Sequence, residues 1–111
     1  MLTDTLHTYE GRTCSVSDII AQVGVMNILA ISGGPKQAIY NADGEPVGLR
    51  LPMGRGRRVD IVLDWSDTYT VRRVRQITRG AQRGSVVVEY ERADVYCDEV
   101  GEIAYWASCW R

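Results

Sequence analysis

The sequence predicts an α+β domain: an N-terminal helix or helix pair, a central antiparallel β-meander of four to five strands, and a C-terminal helix packed on one face of the sheet. Three observations carry this. Helical apolar spacing appears only towards the two ends of the chain. Two-residue alternation of apolar and polar side chains occupies the middle. Short segments containing Gly, Pro, Asn or Asp separate the alternating runs. Strands joined by short turns pair antiparallel, and helices confined to the chain ends then cover one face of the sheet.

Residues 1–13 are polar and aperiodic and read as a loose N-terminal arm, leaving residues 14–111 as a single α+β domain. Ser15 opens the first helix, and Asp18 three residues on makes a capping-box-like pair. Val16, Ile19, Ile20 and Val23 then fall on one helical stripe, with Gly24 as its C-cap. The apolar run Met26–Ser32 is either a second short helix capped by Asn27 or a buried strand, since periodicity does not separate the two at this length. Gly33-Gly34-Pro35 ends it.

Lys36–Tyr40 reads as a short strand and Asn41-Ala42-Asp43-Gly44 as a turn. Val47, Leu49 and Leu51 alternate along the next strand, which Pro52 is expected to stop, and Met53–Arg57 reads as a Gly/Arg loop. Val59, Ile61 and Leu63 alternate with Asp60, Val62 and Asp64, and Asp64-Trp65-Ser66-Asp67 turns the chain. Tyr69, Val71, Arg73 and Arg75 face opposite to Thr70, Arg72 and Val74. A basic loop, Thr78–Gly84, leads to a Val-rich strand from Ser85 to Tyr90. The closing helix is expected from about Asp94 to Ser108, with Tyr96, Val100, Ile103, Ala104 and Ala107 as its core stripe and Asp98 and Glu99 in its first turns.

At 111 residues the chain is one small domain able to bury roughly two-thirds of its unfolded surface without a metal or disulfide. Its 45% apolar content excludes disorder, and no run approaches the ~20 apolar residues of a membrane helix. Met1–His7 lacks the basic head and apolar run of a signal peptide, so the expected location is a reducing cytoplasm. Cys14, Cys97 and Cys109 are odd in number and lack C-x-x-C spacing, which argues against a disulfide framework or a structural zinc site.

Candidate chemistry is sparse. Ser32-Gly33-Gly34 is followed by Pro35 and a strand rather than a helix N-terminus, so it reads as a plain turn and not a phosphate cradle. His7 and Cys97 would make a thiolate–imidazole pair only if the arm reached the closing helix, and His7, Cys14, Cys97 and Cys109 have no ligand spacing. Asp60, Asp64 and Asp67 read as a hairpin turn with a solvated strand face. No catalytic residue, metal or cofactor is expected.

Two surfaces remain. Net charge is −1, yet residues 50–83 carry nine basic and three acidic side chains, while residues 84–111 carry two basic and six acidic ones. Arg55, Arg57, Arg58, Arg72, Arg73, Arg75, Arg79 and Arg83 are the candidate nucleic-acid contacts, because guanidinium forks match phosphate. No aromatic platform is interleaved with them, and the six nearby acids are expected to neutralise them. Tyr105 points away from the stripe of the closing helix, Trp106 lies at its margin and Trp110 follows one turn later; they are the candidate protein-interface residues, or else terminal aromatics that fold back to cap the core.

Asn27-Ile28-Leu29-Ala30-Ile31-Ser32-Gly33-Gly34, Asp67-Thr68-Tyr69-Thr70-Val71 and Val95-Tyr96-Cys97-Asp98 with the helix it leads into resemble, in order, a family of small proteins of tailed bacteriophages, particularly those of high-GC actinobacterial hosts. The resemblance covers about residues 15–110 and departs from a wider phage set at Ile31-Ser32-Gly33-Gly34, where that set has M-T-G-A. It implies a phage accessory protein acting in the host bacterial cytoplasm, with no catalytic residues to carry over. The expected function is therefore non-enzymatic: binding a host or phage protein, or a second copy of the chain. The alternative is a nucleic-acid-binding module using Arg55 to Arg83.

Overall fold

The computed structural model describes residues 11–109. Within them the chain is α+β, in the order α1 (Val16–Val23), α2 (Val25–Ser32), β1 (Gln37–Tyr40), β2 (Pro46–Gly54), β3 (Arg57–Leu63), β4 (Tyr69–Gln76), β5 (Val86–Val95) and α3 (Val100–Ser108). The five strands form one antiparallel meander in sequence order. His7, Trp110 and most of the expected arm lie outside the described residues. The arm's last part is tied down rather than loose: the Arg12 N–H donates to the Leu63 carbonyl (2.8 Å), and the Cys14 N–H donates to that of Pro46 (3.0 Å).

The apolar stripe of α1 faces inward, with Ile19 and Val23 buried and Val16 and Ile20 packed beside them. The capping box does not form. Ser15 occupies the N-cap, but its hydroxyl bonds the nearer Ser17 hydroxyl (2.8 Å) instead of a first-turn N–H. Gly24, at φ 92°, closes α1 through its N–H to the Ile20 carbonyl and opens α2 through its own carbonyl, which accepts from Ile28. The ambiguous run is thus a helix. Asn27 sits inside it rather than capping it, and its Nδ2 reaches back to the orphaned Val23 carbonyl (2.8 Å).

Strand β2 runs through Pro52 to Gly54 instead of stopping at the proline. Strand β1 begins only at Gln37, opposite Arg50, so β2 is an edge on that side by Pro52 and loses no ladder bond there. The Gly/Arg loop shrinks to a two-residue hairpin turn, Arg55-Gly56, with φ of 57° and 76°. Both central residues have the positive φ that matches strand twist. Strand β5 continues to Val95, which is fully buried opposite Tyr69, so α3 begins only at Val100. Tyr96, expected in the core stripe, is 62% exposed. Asp98 and Glu99 precede the helix; Glu99 takes the N-cap position, and its carboxylate accepts from the Tyr96 N–H (3.3 Å). Strand pairing with β4 outweighs the local helical pattern here.

All three helices pack on one face of the sheet. Leu49, Leu51, Val59, Ile61 and Val71 meet Ile19, Val23, Ile28, Val100, Ile103 and Ala104 in one core. Helix α3 passes close to the junction of α1 and α2 at Gly101. A Cβ there would lie 2.4 Å from the Val23 carbonyl oxygen, so only glycine fits. The opposite face is also buried, contrary to the expected solvated strand face. Asp60 is completely inaccessible, as are Ile39 and Val47 beside Val62. Both edges are poor templates for another strand: β1 has four residues, and β5 carries charges and two register shifts against β4.

Candidate functional site

Five of the eight candidate arginines lie on strands, where pairing brings them against acids. Glu89 of β5 accepts hydrogen bonds from the Nε atoms of Arg73 (2.9 Å), Arg57 (3.1 Å) and Arg75 (3.3 Å). Burial alone would push the Glu89 carboxyl up. The hydrogen bonds and charges of Arg57 and Arg73 outweigh that and hold it below the ordinary carboxylate value. Arg73 extends its Nη1 to the carbonyls of Ser108 (3.2 Å) and Ala107 (3.4 Å), where a cation suits the C-terminal end of α3. Arg72 pairs with Glu91 across β4 and β5. On the face away from the helices, Asp60 receives Arg50 in a fork, Nε at 2.8 Å and Nη2 at 3.0 Å, and Arg58 Nε at 3.2 Å.

The remaining three, Arg55, Arg79 and Arg83, occupy exposed turns. Among the described residues none of them has an acidic partner. The eight candidates are therefore two sets, one consumed by the fold and one left at its surface.

The interface candidates Tyr105 and Trp106 are 44% and 58% exposed on the outer side of α3. Sequence reasoning missed the larger apolar surface. In α2 only Asn27 and Ser32 are polar, yet just Ile28 and Ile31 are buried. Val25, Met26 and Leu29 are left 66%, 78% and 49% exposed. A helix apolar all round is normally buried all round. That signal was present in the sequence but could be read only once the run was known to be a helix.

A cleft of about 290 Å³ opens where the tied-down N-terminal segment crosses α1 and the end of β3, lined among others by Cys14, Gln22, Tyr69 and Cys97. The Tyr69 hydroxyl donates to Gln22 Oε1 (2.5 Å). Burial, with the nearby Cys14 and Cys97 thiols, pushes Tyr69 up to about 12, and burial beside Asp18 raises Cys14. Both groups thus stay protonated at neutral pH, as hydrogen-bonding and not nucleophilic groups. Cys109 lies apart, at the end of α3. Among the described residues no three His, Cys, Asp or Glu side chains are grouped to hold a metal, and no helix is long and apolar enough to cross a membrane.

No protein-family model, curated protein or solved structure matches the chain.

Proposed function

We propose that this is a non-enzymatic accessory protein that binds a partner protein through the outer face of α2, with Tyr105 and Trp106 of the adjoining α3 as further anchors. The observation that carries the reading is the exposure of Val25, Met26 and Leu29 on a helix whose folding role needs only Ile28 and Ile31. Such surface contributes nothing to the isolated fold and gains free energy only when covered. A fully buried Val, Leu or Met is worth about 1.5–3 kcal/mol. The resemblance to small phage proteins supports a setting inside the infected bacterial cell, with a host or phage protein offering an apolar groove or helix.

Affinity capture from infected-cell lysate tests this with the wild type and Met26→Asp/Leu29→Asp, both treated with nuclease. The wild type should retain a partner through nuclease treatment. The double variant should lose it, with affinity weakened more than about a hundredfold while the thermal melt is unchanged. An identical captured set from a folded double variant would sink the proposal.

A further inference from the structure

An antiparallel meander delivers alternate turns to opposite ends of its sheet, and here that alternation sorts charge. The β1–β2 turn (41–45), the β3–β4 turn (64–68) and the β5–α3 connection (96–99) lie at one end. They hold Asp43, Glu45, Asp64, Asp67, Asp98 and Glu99 and no basic residue of their own; Arg12 pairs there with Asp67 (2.5 Å) and leaves the other five acids in excess. The β2–β3 turn (55–56) and the β4–β5 loop (77–85) lie at the other end. They hold Arg55, Arg79 and Arg83 and no acid. The Gln76 N–H bonded to the Gly56 carbonyl (2.8 Å) joins these two basic turns. Among the described residues, the sheet therefore has an acidic and a basic end.

We propose that the basic end is a contact surface for the phosphate backbone of duplex nucleic acid, read without regard to sequence. On β2, β3 and β4, Arg50, Arg57, Arg58, Arg72, Arg73 and Arg75 are held by Glu89, Glu91 and Asp60, so the fold does not leave them to a ligand; Arg55, Arg79 and Arg83 are exposed and without acidic partners among the described residues. Guanidinium forks suit phosphate oxygens. Neither basic turn contains an aromatic residue, so there is no platform for the base stacking on which single-strand binding depends. The acidic end does not cancel the attraction. Seven-residue β3 spans the two ends, a separation of roughly 20 Å at strand rise. That exceeds the ~8 Å Debye length at physiological salt, so each end acts on its own surroundings. The surface is distinct from the outer face of α2, so either proposal can fail without the other.

The test is fluorescence anisotropy of the full chain with a labelled random-sequence DNA duplex, from about 50 to 200 mM salt. Three phosphate contacts should give a slope of about −3 in log K against log salt. Arg79→Ser/Arg83→Ser should flatten that slope by about two units. Asp98→Asn at the acidic end should leave it unchanged, and a second duplex of different sequence should bind equally. Absence of binding at the lowest salt, or an unchanged slope in the arginine variant, overturns the proposal. So does salt-sensitive self-association in sedimentation that the arginine variant abolishes while the duplex stays free, which would seat the acidic end of a second copy on the basic end.

Discussion

The two faces of the sheet are both buried, but by different physics. Beneath the helices, Leu49, Leu51, Val59, Ile61 and Val71 are excluded from water by other apolar side chains. On the opposite face, Asp60 is as inaccessible as Ile61, its neighbour in sequence, yet it is surrounded by the guanidinium groups of Arg50 and Arg58. Removing methylenes from the helix face costs contacts and leaves a cavity. Removing one partner from the ionic face takes a counter-charge away from a buried, low-dielectric site, which is less forgiving. The ionic face also fixes register. A one-residue slip of β3 would carry Asp60 into the apolar core and bring Ile61 out among the arginines.

The largest effect is expected of Asp60→Ala, which removes the carboxylate that two buried guanidinium groups share and should cost on the order of 3–5 kcal/mol in denaturant unfolding. A loss of less than about 1 kcal/mol would show that the ion cluster is incidental to the fold. Ile61→Ala itself, and Ile103→Ala on the facing helix, should each cost about 2–5 kcal/mol with unchanged m-value. An unchanged melting temperature for Ile103→Ala would show that α3 does not pack on this face.

The smallest effect is expected at the rim of the sheet. Glu89 has a carboxyl held below its ordinary value, so its native state binds fewer protons than the unfolded chain on the acid side. Its stabilisation is complete above the unfolded value and is lost as pH falls through the lowered one. Glu89→Gln should remove that acid-side slope and cost on the order of 1 kcal/mol near neutrality, as read from melts between pH 3 and 7. A variant with the wild-type acid profile would assign the slope to other carboxylates.

Much of the meander was legible because alternation is a local property. Val59, Ile61 and Val71 declare their face wherever the strand sits, and Gly24 and Gly44 mark breaks by their own backbone freedom. The end of β5 was not legible. Asp94 adopts φ 59°, and Val95 turns inward against Tyr69, a pairing partner 26 residues away that no local pattern announces. Asp60 looked like a solvated carboxylate because the sequence does not show that Arg50 and Arg58 are its neighbours. The exposure of Tyr105 was readable from its place off the stripe and that of Trp106 from its place at the margin, whereas Val25, Met26 and Leu29 were hidden in a run too short to assign.

The class of fold, the meander and the helix-facing residues Leu49, Leu51, Val59, Ile61 and Val71 were legible in the sequence, because each follows from side-chain period and turn chemistry within a few residues. Only the tertiary structure decided what the charges do. Arginines that look equivalent along the chain separate into those that strand pairing sets against Glu89, Glu91 and Asp60 and those that the turns carry to one end of the sheet. The reason is range: periodicity is fixed by the backbone between neighbours, whereas an ion pair depends on distance across strands that meet only after folding.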